Sequence, residues 1–193
     1  MEPFPGLGAC RDRPQVPGSS YPAGLRPWRP ADAPVLVDAW AVPDIAAWCG
    51  VPADAGLAHA EAWIAGWEDR RRAGTALDLV VEQGGAVVGE VGLVPFRGTV
   101  TDVVELGWWV LPAHRGSGIA ATAVGAVVSW AGDALAGRRL VARIRPGHTP
   151  SERVATAAGL VRAGRLDATY DLWRVPGNAN GPGSGAGADS LRF

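Results

Sequence analysis

The chain has 193 residues, 48% hydrophobic and 19% charged, with a formal net charge of −1. That length suits one domain with tails rather than two full domains, and a folded core of about 150 residues buries roughly 70% of its unfolded surface without staples. The near-neutral charge excludes the basic footprint of a nucleic-acid or anionic-membrane binder. All 18 basic residues are Arg, and alongside the abundant Ala, Gly, Val and Pro this reads as a compositional bias, so arginine excess alone does not argue for phosphate binding. Cys10 and Cys49 lack metal-ligand spacing and read as free thiols of a reducing compartment. No basic start followed by an apolar run suggests a leader, and no stretch is apolar for long enough to span a bilayer, so a cytoplasmic location is expected.

Residues 1–20 are rich in Pro and Gly without periodicity and are expected to be a disordered tail. The Gly/Ala-rich stretch 176–193 reads the same way, which leaves 21–175 as the folded domain. "AGLRPWR" predicts a short first strand. "ADAPVLVDAW" predicts a helix with Asp32 at its N-cap, and "VPDIAAWCG" a second helical piece. "AGLAHAEAWIAGWEDRRRAG" predicts one longer helix with Leu57, Glu61, Ile64 and Trp67 near helical spacing and Arg70 to Arg72 as its solvated end, where cations suit the dipole. Trp28, Trp40, Trp48, Trp63 and Trp67 cluster in this first part of the chain.

The period then changes. "ALDLVVEQ" and "AVVGEVGLVPF" flank Gly84-Gly85, a strong hairpin signal, and "TDVVELGWWVL" is a third strand. The helix Ile119 to Leu135, the strand "RRLVARIR", the short helix "TPSERVATAAG" with Gly159 past its end, and the strands "LVRAGRL" and "ATYDLWRV" complete the order. Antiparallel strands followed by a crossover helix and a further strand predict an α+β fold, one mixed, mostly antiparallel central sheet of six to seven strands with helices on both faces.

"HRGSGIA", at the junction between the third strand and its following helix, carries the chemistry. A helix N-terminus offers unpaired N–H groups and partial positive charge, and glycines let an anion approach the backbone. A plain glycine-containing turn is the competing reading. The Walker loop does not fit, since no Lys is present. A dinucleotide fingerprint matches Gly116 to Ala121 only loosely and follows antiparallel strands, where that motif does not belong; a nucleotide-binding module is therefore the least favoured class.

Arg115-Gly116-Ser117-Gly118-Ile119-Ala120, placed after "ELGWWV" and before "HTPSERVATAAGL", resembles the GNAT superfamily of acyl-CoA-dependent N-acetyltransferases. "ELGWWV" and "HTPS…AAGL" are similar to motifs of the branch that acetylates ribosomal-protein N-termini, and the resemblance covers about Leu25 to Val175. It implies the GNAT-like sheet with strands splayed at the acyl-CoA site. It implies acetyl-CoA as cosubstrate without a metal, a protein N-terminus or small-molecule amine as acceptor, and direct attack in a ternary complex. The oligomeric state stays open, with homodimers frequent among such enzymes.

Residue by residue, the resemblance gives the pyrophosphate to Arg115, Gly116, Ser117, Gly118, Ile119 and Ala120. It gives the pantetheine arm to the backbone of Trp109, Val110 and Leu111, with the Val110 N–H on the thioester carbonyl. Glu105 is the candidate base, on one strand face with Gly107, Trp109 and Leu111; its other reading is an ion pair with a nearby Arg. Glu90 is a second carboxylate, sharing the site or facing solvent. Ser151 is the candidate acid, with a helix-cap role as its alternative. His148 stands where the family has Asn and would contact pantetheine or substrate, and Leu160 replaces an aromatic residue. Tyr170 reads as structural. The alternative function is a non-catalytic acyl-CoA-binding or regulatory domain.

Overall fold

A computed structural model describes residues 21–96, 103–135 and 138–176. The two expected tails, 1–20 and all of 176–193 except Pro176, lie outside the described residues, as does Cys10. A short strand, β1 (Leu25–Pro27), leads into four helices: α1 (Ala33–Trp40), α2 (Pro43–Cys49), α3 (Leu57–Ala65) and α4 (Trp67–Arg72). Asp32 does precede α1, but its carboxylate does not cap it. The two oxygens accept the Arg26 guanidinium at 2.7 and 3.1 Å, and the Arg29 N–H donates to one of them at 2.8 Å. An arginine offers a charge-assisted bond that helix amides cannot match.

The single helix expected between Ala55 and Gly74 is two, α3 and α4, broken at Gly66. Glycine is the weakest ordinary helix former, and Gly66 leaves the helical region with ψ near 0°. The Arg70 guanidinium folds back there and donates to the Trp63 carbonyl at 2.8 Å. Arg71 and Arg72 ion-pair with Glu68, in keeping with a solvated helix end. Arg70 does not: it lies 4.2 Å over the Trp63 ring and 3.6 Å from Asp78.

The remaining elements are β2 (Leu77–Gln83), β3 (Ala86–Pro95), β4 (Val103–Val110), α5 (Ile119–Ala134), β5 (Arg139–Ile144), α6 (Thr149–Ala157), β6 (Val161–Arg165) and β7 (Asp171–Arg174). Gly84 and Gly85 take φ of +58° and +81°, the pair of left-handed residues that a two-residue hairpin turn requires. The sheet has seven strands in the order β1-β2-β3-β4-β5-β7-β6. Every neighbouring pair is antiparallel except β4 and β5, which α5 joins by the crossover that parallel strands need. The mixed, mostly antiparallel architecture is as the sequence predicts.

Parallel pairing of β4 with β5 covers only Val103–Glu105 against Arg139–Val141. Beyond it, β4 runs on to Val110 beside β3, and β5 runs on to Ile144 beside β7. The two strands part, and a gap opens in the middle of the sheet. Strand alternation fixes which side chains face which layer. Glu90 lies opposite Trp109, and Gly92 opposite Gly107, so these residues share one face with Glu105. On that face Trp28, Trp40 and Trp63 stack edge to face beneath α1 and α3, while α5 packs along β3 and β4.

Gly89 is the tightest point between β3 and β4. A Cβ there would lie 2.5 Å from the Trp109 carbonyl oxygen and 3.3 Å from Val110 Cα. Both neighbours are backbone and cannot yield without moving β4. Gly89→Ala is expected to lower stability by about 1–3 kcal/mol, the usual cost of overpacking, read as a lower denaturant midpoint at unchanged slope.

Candidate active site

The gap between β4 and β5 continues into a cavity of about 720 Å³. Its walls come from α2, the parted ends of β4 and β5, the loop before α5, and the first turns of α5 and α6. Of the residues singled out from the sequence, Trp109, Val110, Arg115, Gly116, Gly118, Ile119, Ala120, His148 and Ser151 line it. Leu111, Ser117 and Glu105 do not form its wall.

The loop leaves the N-terminus of α5 open to the cavity. Gly116 and Gly118 take φ of +79° and +81°, and a Cβ at either would meet nothing within 4 Å. Their conformation demands glycine, and the space beside them is open. Gly118 leads α5 without a side-chain cap, and the first bond of the helix runs from Thr122 N–H to the Gly118 carbonyl at 3.0 Å. The N–H groups of Ile119, Ala120 and Ala121 therefore have no partner within the helix and sit at its positive end. The Ser117 hydroxyl donates to the His114 carbonyl at 2.8 Å, bracing the loop from outside the cavity.

Arg115 is tied down on two sides. Its Nε donates to the Val110 carbonyl at 2.8 Å, and its terminal nitrogens reach the Asp44 carboxylate of α2 at 2.9 and 3.2 Å. The Arg115 hydrogen bond holds the Asp44 carboxyl below the usual carboxylate range. The loop and the helix above the gap are thus bonded to each other.

The exposed edge of β4 corrects one expectation. Leu111 N–H donates to the Val88 carbonyl at 3.0 Å, so its N–H is spent on β3. By antiparallel alternation Trp109 also turns its backbone to β3, while Trp108 and Val110 turn theirs to the gap. Of the three residues expected to offer backbone to a ligand, only Val110 turns its N–H to the gap, its carbonyl being taken by Arg115, and Trp108 turns its backbone the same way. Trp109 contributes its side chain.

On the far wall, His148 occupies the N-cap position of α6, and Ser151 lies inside the first turn. A cap role for Ser151 is therefore not realised. The side-chain acceptor at this end is Glu152, which takes the Gly147 N–H at 3.0 Å.

The sequence matches the acetyltransferase (GNAT) domain family over residues 23–161. The chain belongs to the GNAT acetyltransferase family. Solved structures share its fold. RimJ of Mycobacterium smegmatis in complex with CoA-disulfide is 23% identical, with a TM-score of 0.62 over 78% of this chain and 80% of the other. Ribosomal-protein-S5-alanine acetyltransferase from Vibrio fischeri is 15% identical, with a TM-score of 0.61 over 78% and 88%. AAC(6')-Ib in complex with paromomycin and acetyl-CoA is 16% identical, with a TM-score of 0.61 over 78% and 90%. Among curated proteins no relative matches by sequence. Among the described residues of this acetyltransferase, no group of His, Cys, Asp and Glu is arranged to hold a metal ion, and no helix is long and apolar enough to cross a membrane.

Glu105 lies at the point where β4 and β5 part. It is 5% exposed, and its Oε1 accepts the Arg143 Nε at 2.7 Å. The ion pair that competed with the base reading in the sequence is therefore present. Arg143 lines the cavity and Glu105 does not, and Oε2 has no protein donor among the described residues.

Glu90 neither faces solvent nor forms the cavity wall. Its two oxygens accept the indole N–H groups of Trp28 at 2.8 Å and Trp109 at 3.0 Å. Burial, and next the nearby Asp78 carboxylate, push its carboxyl up to about 8 despite those bonds. Cavity residues that sequence reasoning passed over are Asp44, Arg143 and Arg145, and Tyr170, read there as structural, also lines it. Trp48, one of the clustered tryptophans, also lines it and rests on Gly107, where a Cβ would sit 3.0 Å from its ring.

The Glu90 shift has a sign that can be checked. A carboxyl raised in the fold contributes stability that is fully present below its unfolded pKa, near 4.5, and is lost as pH rises through about 8. Glu90→Gln removes that dependence. Relative to the unaltered protein, the variant is expected to gain stability between pH 6 and pH 9 in denaturant unfolding; parallel curves would show that Glu90 ionises normally.

Proposed function

We propose that the protein transfers an acetyl group from acetyl-CoA to a primary amine, a protein N-terminus or a small-molecule amine, by direct attack in a ternary complex. The observation that carries this reading is the continuity of the β4–β5 gap with the uncapped N-terminus of α5. One end of the cavity suits a diphosphate and the middle offers strand amides.

The residues fit the cosubstrate. The open left-handed glycines Gly116 and Gly118 and the unpartnered amides of Ile119 and Ala120 would hold the pyrophosphate, with Arg115 at its rim and Ser117 bracing the loop. The Trp108 backbone would pair with the pantetheine arm, with the Val110 N–H left for the thioester end and the Val110 carbonyl held by Arg115, and the Trp109 ring and His148 would flank it. When bound, acetyl-CoA supplies an electrophilic thioester carbonyl and a thiolate leaving group.

Around those atoms each protein group has a separate task. The Val110 N–H, aimed into the gap, stabilises negative charge on the carbonyl oxygen as the amine nitrogen adds. Glu105 accepts the proton that the amine must lose, through Oε2 and an intervening water, while Arg143 fixes Oε1. Ser151, in the cavity wall from α6, donates a proton to the departing sulfur. One proton leaves nitrogen and one reaches sulfur, so the exchange balances.

The solved relatives show that the fold does not fix the acceptor: one is named for a ribosomal-protein alanine and another is bound to paromomycin. One observation favours a second reading, a non-catalytic acyl-CoA-binding domain. Glu105 is buried, ion-paired to Arg143 and not part of the cavity lining. Release of free coenzyme A with a panel of amines separates the two, since a binding domain releases none.

Two variants test the assignments. Glu105→Gln keeps an acceptor for the Arg143 Nε but cannot take a proton. It is expected to lower kcat about 100-fold with acetyl-CoA affinity unchanged by calorimetry; undiminished turnover removes Glu105 from the base role. Asp44→Asn frees Arg115 for the pyrophosphate. Acetyl-CoA should bind about two- to fivefold more tightly, the range of an exposed ion pair, with a smaller gain in high salt. Weaker binding would mean that the Arg115–Asp44 bond helps to shape the cradle.

A further inference from the structure

The charge of the cavity wall points to the chemistry of the acceptor. Four guanidinium groups line it, from Arg115, Arg143, Arg145 and Arg153, against a single carboxylate, Asp44, which Arg115 already engages. Two of these arginines belong to the face away from the anion cradle. Glu105 pairs with Val141 across the parallel ladder, so Val141 and Arg143 share the face of Glu105, Gly107 and Trp109, which α2 overhangs through Trp48.

Arg143 and Arg145 flank one ring there. Their guanidinium carbons lie 5.1 and 6.0 Å from the centre of Tyr170, which also lines the cavity. Arg143 gives its Nε to Glu105 and has no second carboxylate partner among the described residues. Arg145 is exposed and has no acidic partner among them. Two cations held beside an aromatic face, one of them unpaired, are stable in water but better satisfied by an anion. A polycationic amine would meet the opposite, a wall with no free carboxylate to receive its remaining charges.

We infer that the acceptor is a primary amine whose molecule also bears a carboxylate, received by Arg143 and Arg145 where they flank Tyr170. This rests on the acetyltransferase reading and narrows its acceptor. The amine reaches the gap beside Gly107 and Trp48, and the carboxylate anchors the other end at the guanidinium pair. The forked guanidinium geometry suits a planar carboxylate.

The test uses the full chain and two matched pairs of amines, alike except for charge. One pair is 4-(aminomethyl)benzoate and 4-(aminomethyl)benzamide. The other is a short peptide amide with a free N-terminus ending in glutamate and its glutamine counterpart. The acid of at least one pair should be acetylated with kcat/KM tenfold or more above its neutral partner, and a polyamine should be acetylated poorly. Arg145→Gln should raise KM for the acid about tenfold while leaving KM for the amide and for acetyl-CoA within twofold. Equal use of acid and amide in both pairs overturns the inference. So does an Arg145→Gln effect confined to the KM of acetyl-CoA, which would assign Arg145 to a coenzyme phosphate. If no amine releases coenzyme A, the acetyltransferase reading fails separately; calorimetric binding of acid against amide in the presence of coenzyme A then decides the anion site, and equal affinities overturn it.

Discussion

Everything functional in this molecule depends on where β4 and β5 stop pairing. The parallel ladder ends at Glu105 and Val141. Had it continued, the backbone of Leu106, Trp108 and Val110 would be consumed by β5 and the sheet would be closed. Instead β5 keeps its partner on the other side, with Val141 to Ile144 bonded to β7, while β4 keeps β3 along its whole length. Each strand is held by one neighbour, so the gap does not leave either unsupported. Unpaired buried amides are costly, and a gap in mid-sheet leaves a row of them at Trp108 and Val110. A ligand with matching groups is the natural way to satisfy them.

Alternation along β4 divides the labour. Odd positions spend their backbone on β3 and send Glu105 and Trp109 toward the layer of α1–α3. Even positions turn their backbone to the gap. The same strand therefore anchors the fold and presents a polar edge, with no residue doing both through its backbone. This is also why the expected trio of Trp109, Val110 and Leu111 separates into distinct roles: the Leu111 amide belongs to the sheet.

Period and punctuation made most of the fold readable. The Gly84-Gly85 hairpin, the crossover through α5 and the Gly159 stop after α6 are local signals, and each is found where it was expected. The break at Gly66 was not, because the apolar spacing runs through it and the deciding bond comes from Arg70, four residues on. The site was legible where chemistry is local: Gly116 and Gly118 announce an open helix N-terminus. Asp44, the Arg143–Arg145 end of β5 and Tyr170 lie on separate stretches of chain and meet only through the topology, so no spacing rule could join the three. Glu105 shows the same limit in reverse. Its strand position was readable, but the partner that covers it, Arg143, sits 38 residues away.

The layer over the gap is fastened to the rest of the molecule at two places of different character. On one side, Glu90 of β3 accepts the indole N–H groups of Trp28 and Trp109, and the Trp109 ring is also part of the cavity wall. Asp78 and Arg70 lie behind it. Asp78 is also raised, chiefly by burial, and Arg70 leaves Nε and Nη2 without hydrogen bonds. Buried charges so incompletely satisfied contribute little net stability; what they fix is position, holding Trp63, Trp28 and Trp109 in one arrangement. On the other side, the Asp44–Arg115 pair is exposed and competes with any anion placed on the α5 cradle. The first fastening is buried in the sheet and the aromatic layer, whereas the second is exposed to solvent. Asp44 belongs to α2, and α2 also carries Trp48, the residue that rests on Gly107. A single helix of seven residues, α2, thus bridges the loop before α5 and the part of the wall at Gly107.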